Sequence, residues 1–282
     1  MPELPEVESV RRALEDYILD QEILECSVIL PKIIAGKGAY RKDLSVDIQT
    51  FQEFCVGQTI RVVSRRAKNI MLELDTGLLL VHFKMTGQLL WVENKKQAAK
   101  EKYVHIVWRL SNGYLLYKDL RQFGYVLPYR DKSELAEHFA PLGVEPLGPD
   151  YELDTFKTSL RKKKAVLKKV FLDQTVVVGL GNIYADEVCH YAHVKPTRRA
   201  NTLTDQEVED LYYGSRTILA QSIEVGGTTK YTHTLPDGAQ GRYTEHLQVY
   251  GRGGKKCFRD GTILTRDQVA GRTTVWCETC QK

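Results

Sequence analysis

The sequence predicts an α+β protein of two domains, with an N-terminal helix and antiparallel β-sandwich followed by a helical domain that ends in a cysteine-bounded, hairpin-like tail. Three observations carry this. Val7, Val10, Leu14 and Ile18 recur at helical spacing behind Pro5, a residue suited to a first helical turn, so residues 5–19 form an amphipathic helix. From Ile23 to Leu127 the pattern changes to short β-rich runs, divided by the turn signals Asp75-Thr76-Gly77 and Ser111-Asn112-Gly113. Beyond Pro149 the apolar residues return to helical spacing.

The strand runs are residues 59–63, 70–74, 78–82, 103–110 and 114–117, and the polar stretch 95–102 reads as an exposed loop between two of them. The proline- and glycine-rich stretch from Pro141 to Pro149 reads as an interdomain linker. Helical patterns follow at 153–160, 165–172, 185–191 and 205–224, the last opened by Thr204 as N-cap. The expected partition is therefore a β-sandwich domain at 1–134, a linker at 135–151, a helical domain at 152–225, and a loop with a hairpin at 226–282.

Composition narrows the function classes. Apolar residues make up 43% and charged residues 27%, as in soluble globular proteins, and no apolar run approaches the roughly 18 residues that span a bilayer. The N-terminus carries Glu3, Glu6 and Glu8 rather than a basic and then apolar stretch, which excludes a secretory signal and points to the cytoplasm. Of six cysteines only Cys257, Cys277 and Cys280 fall in a compact pattern, which suggests a metal site rather than a disulfide framework. Net charge is +4, with basic runs at Arg65-Arg66-Ala67-Lys68, Arg161-Lys162-Lys163-Lys164 with Lys168-Lys169, Arg198-Arg199, and Arg252 to Lys256. Four such runs point to nucleic acid.

The opening Met-Pro-Glu-Leu-Pro-Glu carries chemistry of its own. A small residue follows Met1, so its removal exposes Pro2. An α-amino group titrates near pH 8, about two units below a lysine, and is substantially free base at neutral pH. Attack of a secondary amine on the anomeric carbon of a deoxyribose gives an iminium, a permanent cation that draws electrons into elimination. Glu3 is a candidate general acid or base for the opening sugar ring, and Glu6 can order the site. By itself the same motif also reads as a helix entry with acids at the positive end of the dipole.

Pro2-Glu-Leu-Pro-Glu-Val-Glu8 resembles the start of formamidopyrimidine-DNA glycosylases, bifunctional glycosylase/AP lyases that act on oxidised purines. Further matches run in order through Arg65-Arg-Ala-Lys68, His82-Phe-Lys-Met-Thr-Gly87, Asp119-Leu-Arg-Gln-Phe-Gly124, Gly179-Leu-Gly-Asn-Ile-Tyr-Ala-Asp-Glu187, Val249-Tyr-Gly-Arg252 and the terminal Gly271 to Gln281, covering nearly the whole chain. The resemblance implies a helix–two-turn–helix in the second domain and a zinc-finger-like β-hairpin at its end. It implies that Lys68 and Arg272 grip phosphates and assist the first and second eliminations, and that Met85, Arg121 and Phe123 fill the space of an extruded base opposite cytosine. His82, His105, Lys163, Lys168 and Asn182 fall at positions expected to meet DNA, and residues 228–241 are expected to close over the flipped base. The implied partner is double-stranded DNA carrying an oxidised purine opposite cytosine, bound by a monomer on the bacterial nucleoid.

The chain departs from the resemblance at its tail. The family's zinc finger has two Cys-x-x-Cys pairs, whereas here Cys277-Glu-Thr-Cys280 is preceded by Cys257-Phe-Arg-Asp260. Asp260 can supply a carboxylate oxygen to zinc, although structural sites favour sulfur and nitrogen. Weaker zinc binding, a metal-free hairpin, or replacement by His246 or another nearby group all remain open. Tyr103 stands where many members have a DNA-contacting histidine, and Leu120 replaces a usual proline. Two other readings remain: an oxidised-pyrimidine glycosylase of the Nei type, against which Leu4 argues, and a DNA-binding relative without catalysis, against which Pro2, Glu3, Lys68 and Arg272 argue.

Overall fold

A computed structural model describes residues 1–35, 47–228 and 234–282, which divide into two compact units. The first holds residues 1–2, 6–140 and 226–241, and the second holds residues 3–5, 141–225 and 242–282.

The elements of the first unit are α1 (Leu4–Ile18, whose first residues are grouped with the second unit), β1 (Ile23–Val28), α2 (Ile48–Cys55), β2 (Val62–Arg66), β3 (Asn69–Glu73), β4 (Leu78–His82), β5 (Gly87–Val92), α3 (Lys95–Ala98), β6 (Val104–Leu110), β7 (Gly113–Asp119), β8 (Tyr125–Tyr129) and α4 (Lys132–Phe139). The strands form two four-stranded antiparallel sheets, ordered β1-β6-β7-β5 and β2-β3-β4-β8. Alternate residues of both sheets meet in one core: Ile70 and Leu72 of β3, Leu79 and Val81 of β4, Ile106 and Trp108 of β6, Leu115 and Tyr117 of β7. The apolar stripe Val7, Val10, Leu14 and Ile18 of α1 enters the same core, as its spacing predicts. β4 is apolar on both faces because Leu78 and Leu80 pack with Tyr125, Leu127, Tyr129 and the α4 residue Leu135 in a smaller cluster.

Three local expectations change. Helix α2 lies inside the region read as β-rich: Asp47 accepts the Thr50 N–H and caps it, while Phe51 and Cys55 reach the core. The polar stretch expected as a loop contains the short α3, capped by Asn94. The first strand run spans Val62–Arg66 rather than 59–63, and Thr59 instead bridges Glu22 while its N–H donates to Asp75.

The second unit contains α5 (Leu153–Arg161), α6 (Leu167–Leu172), α7 (Asn182–Tyr191), α8 (Asp205–Glu224) and a terminal hairpin of β9 (Thr265–Val269) and β10 (Arg272–Trp276). Phe156, Leu160, Leu167, Phe171, Tyr184, Val188, Leu211 and Leu219 belong to its helical core, and Val249, Cys257, Leu264, Val275 and Cys277 form a small core under the tail.

The expected linker at 135–151 is not a free connection. Residues 6–140, which end just after α4, belong to the first unit, and the chain passes into the second at Pro141. The Gly143 N–H donates to the Gln174 carbonyl at 2.8 Å, Val144 bridges Val177, and buried Tyr151 shares a 3.0 Å hydrogen bond with Ser215. Prolines and glycines shape this segment, but Gly143, Val144 and Tyr151 tie it into the fold. Residues 226–241, expected with the hairpin, are instead grouped with the first unit: Leu235 packs on its core and the Trp91 N–H donates to the Pro236 carbonyl at 2.9 Å. Of the expected base-covering loop 228–241, residues 229–233 lie outside the described residues.

Helix α8 follows its sequence signal closely. Thr204 accepts the Glu207 N–H while the Glu207 carboxylate accepts the Thr204 N–H, a reciprocal capping box. Thr204→Ala removes one of these bonds and is expected to cost about 1 kcal/mol, measured as a lower urea midpoint with an unchanged slope.

Candidate active site and nucleic-acid interface

Pro2 is buried and precedes α1. While Met1 is attached its nitrogen is an amide, so nucleophilic chemistry requires the processed terminus. In the first unit Glu6 is buried, and one carboxylate oxygen accepts both the N–H of Thr228 at 2.7 Å and its hydroxyl at 2.8 Å. Gly227, at φ +78°, allows this approach, because a Cβ there would sit 2.9 Å from that oxygen. Glu6 thus orders the stem of the 226–241 segment rather than facing solvent.

Glu8 collects Arg65 at 3.0 Å, Arg11 at 3.0 Å and Arg12 at 2.9 Å. Burial alone would raise its carboxyl, but the arginines outweigh burial and hold it below the usual range. Arg65 is therefore spent on α1, and its neighbour Lys68 lies in the tight β2–β3 turn, where Ala67 has φ +55°. Lys68 is only 6% exposed.

The wedge residues come together. Met85 and Phe123 are both exposed, the Arg121 guanidinium donates to the Met85 sulfur at 2.9 Å, and it lies 4.7 Å from the centre of the Phe123 ring. Their loops are pinned by Asp119, fully buried at the end of β7. Its carboxylate accepts the Thr86 hydroxyl, the Arg121 N–H at 3.1 Å and the Gly124 N–H at 2.7 Å. Asp119 lies in the Asp119-to-Gly124 motif without a local signal of its role, which only its burial reveals.

His82 accepts the Lys84 N–H through Nδ1 at 2.9 Å and packs against Tyr125. His105 is held inside the fold. It is buried, and its Nε2–H donates to the Asp119 carbonyl at 2.8 Å. It props the wedge loop from within.

In the second unit the Glu3 carboxylate accepts three backbone N–H groups at the start of α7, from Gly181 at 2.7 Å, Ile183 at 2.8 Å and Tyr184 at 3.2 Å. These are donors that a helix cannot satisfy internally, at its positive end. Lys168, expected to bind phosphate or line the approach to the lesion, is fully buried, and its ammonium donates to the Asp186 carboxylate at 2.6 Å and the Asn182 carbonyl at 2.9 Å. Lys163 is about a third exposed and pairs with Asp173 at 3.1 Å. The Asn182 amide donates to the Thr273 carbonyl of β10 at 3.0 Å. Burial pushes the Asp186 carboxyl up to about 7, against the pull of Lys168 and the Val275 N–H. Burial likewise raises Glu187, which accepts the N–H groups of Gln248, Val249 and Tyr250.

Arg272 follows a two-residue turn in which Ala270 and Gly271 both have positive φ, and Val269 pairs directly with Arg272. It is exposed, with no ion-pair partner among the described residues. Behind the hairpin, ligand atoms of Cys257, Asp260, Cys277 and Cys280 lie within 4.8 Å of one another. The Cys257 and Cys280 sulfurs are 3.9 Å apart, and the Asp260 oxygens are 3.3 and 3.5 Å from the Cys277 sulfur. A tetrahedral ion with 2.3 Å bonds to sulfur and 2.0 Å bonds to oxygen spaces such atoms by about 3.8 and 3.5 Å. The group can hold a metal ion. The Thr262 N–H chiefly holds the exposed Asp260 carboxyl below its usual range. His246 is not part of the group; His190 approaches Cys257 at 3.7 Å, and burial, reinforced by Arg259, lowers its imidazole to about 4.

Family models of the formamidopyrimidine-DNA glycosylase N-terminal domain and of its H2TH domain match residues 1–126 and 142–234. The chain belongs to the formamidopyrimidine-DNA glycosylase family. The formamidopyrimidine-DNA glycosylases of Pelotomaculum thermopropionicum and Herpetosiphon aurantiacus are each 40% identical to it, over all of this chain and 99% and 100% of theirs. A Lactococcus lactis glycosylase variant crystallised with DNA containing Fapy-dG superposes with a TM-score of 0.90 at 33% identity, over the full length of both chains. A MutM complex with DNA containing carbocyclic 8-oxo-G gives 0.89. The protein is thus a base-excision-repair DNA glycosylase, and AP lyase activity is part of its family. The H2TH match begins at residue 142, inside the stretch that reads as a linker, in keeping with its packing in the second unit.

The Glu3 cap depends on a glycine. A Cβ at Gly181 would lie 2.5 Å from the Glu3 carboxyl carbon, so Gly181→Ala must displace the carboxylate and strand its three donors. We expect a loss of about 2–4 kcal/mol in stability, read by thermal melting, and a fall in strand cleavage of at least about tenfold.

Proposed function

We propose that the protein excises oxidised purines, 8-oxoguanine and formamidopyrimidines, opposite cytosine, and then cleaves the strand by β,δ-elimination through an iminium on Pro2. The observation that carries this reading is the exposed Met85, Arg121 and Phe123 group on loops fixed by buried Asp119. An enzyme that acts on a stacked base must extrude it and fill the gap, which calls for an apolar wedge with a guanidinium able to hydrogen-bond the orphaned cytosine.

The Pro2 nitrogen attacks C1′, the damaged base departs, and the ring opens with Glu3 as candidate proton donor to the ring oxygen. The iminium acidifies the C2′ proton, whose removal breaks the C3′–O bond, and a second elimination then breaks the C5′–O bond. Lys68 assists the first elimination, Arg272 the second, and Asn182 with Lys163 meets phosphate. Among the described residues no helix is long and apolar enough to cross a membrane. We place the enzyme as a monomer on nucleoid DNA in the cytoplasm.

Zinc suits the tail cluster best, as a closed four-ligand structural site held by Cys257, Asp260, Cys277 and Cys280. When bound it ties the ends of the tail together and supplies no reacting group. Replacing Asp260 by Cys should slow zinc loss to a chelator by about tenfold or more, because structural sites favour thiolate. Chelator-resistant, fully occupied zinc in the unaltered protein would contradict a weakened site.

The catalytic reading is tested with protein confirmed to begin at Pro2, a duplex with 8-oxoguanine opposite cytosine, and borohydride. A covalent protein–DNA adduct is expected, and Pro2→Gly should cut cleavage by at least about a hundredfold. Absence of an adduct from the processed protein overturns the reading. A Lactococcus lactis relative at 33% identity was crystallised with DNA containing an oxidised pyrimidine, so such a duplex belongs in the same assay.

A further inference from the structure

We propose that side chains of α6 and α7, namely Lys168, Asn182 and Asp186, fix the position of Arg272 independently of the metal cluster in the tail. The inference rests on the elimination role read for Arg272 above. β10 is an edge strand with a single strand partner, β9. In a hairpin closed by the pair Val269 and Arg272, the backbone groups of Thr273 and Val275 point away from β9 and need other partners. Helix α7 supplies both. The Asn182 amide donates to the Thr273 carbonyl at 3.0 Å, and the second Asp186 oxygen accepts the Val275 N–H at 3.1 Å.

The two grips stand on one edge of β10, two residues apart, so they act as a substitute strand. A slip of one residue would leave both unpaired and would turn Arg272 to the opposite face. Lys168 holds the gripping residues themselves, with its ammonium bonded to the Asp186 carboxylate at 2.6 Å and to the Asn182 carbonyl at 2.9 Å. Lys168 and Asp186 are both fully buried, which keeps water from competing for these bonds.

The ends of the tail are tied down without the cluster as well. Glu187 accepts three N–H groups from residues 248–250 where the chain enters the tail. At its exit, Gln281 accepts the Cys277 N–H and donates to the Val194 carbonyl, each at 2.8 Å, and the Lys282 N–H donates to the His193 carbonyl at 2.8 Å. Arg272 stands at the end of β10 opposite to Cys277. Lys168, Asn182 and Asp186 are therefore positioning residues for Arg272, and the metal cluster braces the outer part of the tail.

The test compares metal-stripped full-length protein with a Lys168→Met/Asp186→Leu double variant, which removes both buried polar groups together and leaves no acceptor for the Val275 N–H. Two quantities are read: hydrogen exchange at the Val275 amide, which is bonded to Asp186 and so reports the grip, and the ratio of second- to first-elimination products on a duplex with a preformed abasic site. Stripping should leave Val275 protection and the product ratio within about twofold, whereas the double variant, with metal retained, should lower the ratio about tenfold. The inference is overturned if stripping alone exposes Val275 and lowers the ratio as far as the variant does, or if a folded variant leaves the ratio unchanged. Should the double variant fail to fold, the stripped protein decides alone: retained Val275 protection with an unchanged ratio supports the inference, and an exposed Val275 with a lowered ratio overturns it. Borohydride trapping of the unaltered protein separates the two layers: no adduct defeats the Pro2 reading, while Val275 exchange still decides the grip.

Discussion

The carboxylate of Glu3, ringed by the N–H groups of Gly181, Ile183 and Tyr184, shows the constraint on which the rest of the molecule rests. A buried carboxylate costs several kcal/mol unless its lone pairs are met. Three helix-opening amides meet them here, and in return the amides that α7 cannot use internally find a charged acceptor. The backbone one residue past Pro2 is thereby held still. The same device recurs: Glu6 takes Thr228, Asp119 takes Arg121 and Gly124, Asp186 takes Val275, and Glu187 takes the N–H groups of residues 248–250. Each of these segments has its main chain fixed by a carboxyl group that solvent cannot reach.

This arrangement separates two duties that sequence alone tends to merge. Side chains that meet DNA have to be exposed, and the backbone that carries them has to be rigid, since ordering a loop on binding weakens affinity. Met85, Phe123, Arg121 and Arg272 are exposed, yet each rides on a segment pinned from beneath. Lys168 and His105 do the pinning. Both are polar residues of a kind that reads as a DNA contact, and both are consumed by the fold.

Much of the fold was legible in the sequence where one local signal sufficed. The stripe of α1, the run Leu78 to His82 and the capping residue of α8 lie where their patterns put them, because burial on one face, burial on both faces and a reciprocal cap each leave a local imprint. Helix α2 was missed because its signal is a single Asp47 cap followed by only a few core residues. Within the candidate site, the gathering of Met85, Arg121 and Phe123 came from family-like motifs, whereas the true stations of Lys168 and His105 depend on Asp186 and Asp119, partners 18 and 14 residues away along the chain. The packed Pro141 to Pro149 stretch shows the same limit. Its composition fits a linker, and only tertiary pairing with Gln174 and Val177 makes it part of a domain.

The uneven exposure of the tail cluster bears on the durability of a protein that works on oxidised DNA. Cys257 and Cys277 are buried and Cys280 is partly covered, while the position open to solvent is filled by Asp260. Thiolates are oxidised in steps to sulfenic and then irreversible acids, and susceptibility follows exposure. A carboxylate offers nothing to that ladder. It also matches the negative charge of a thiolate, so the outermost group of the cluster is the one that peroxides cannot convert.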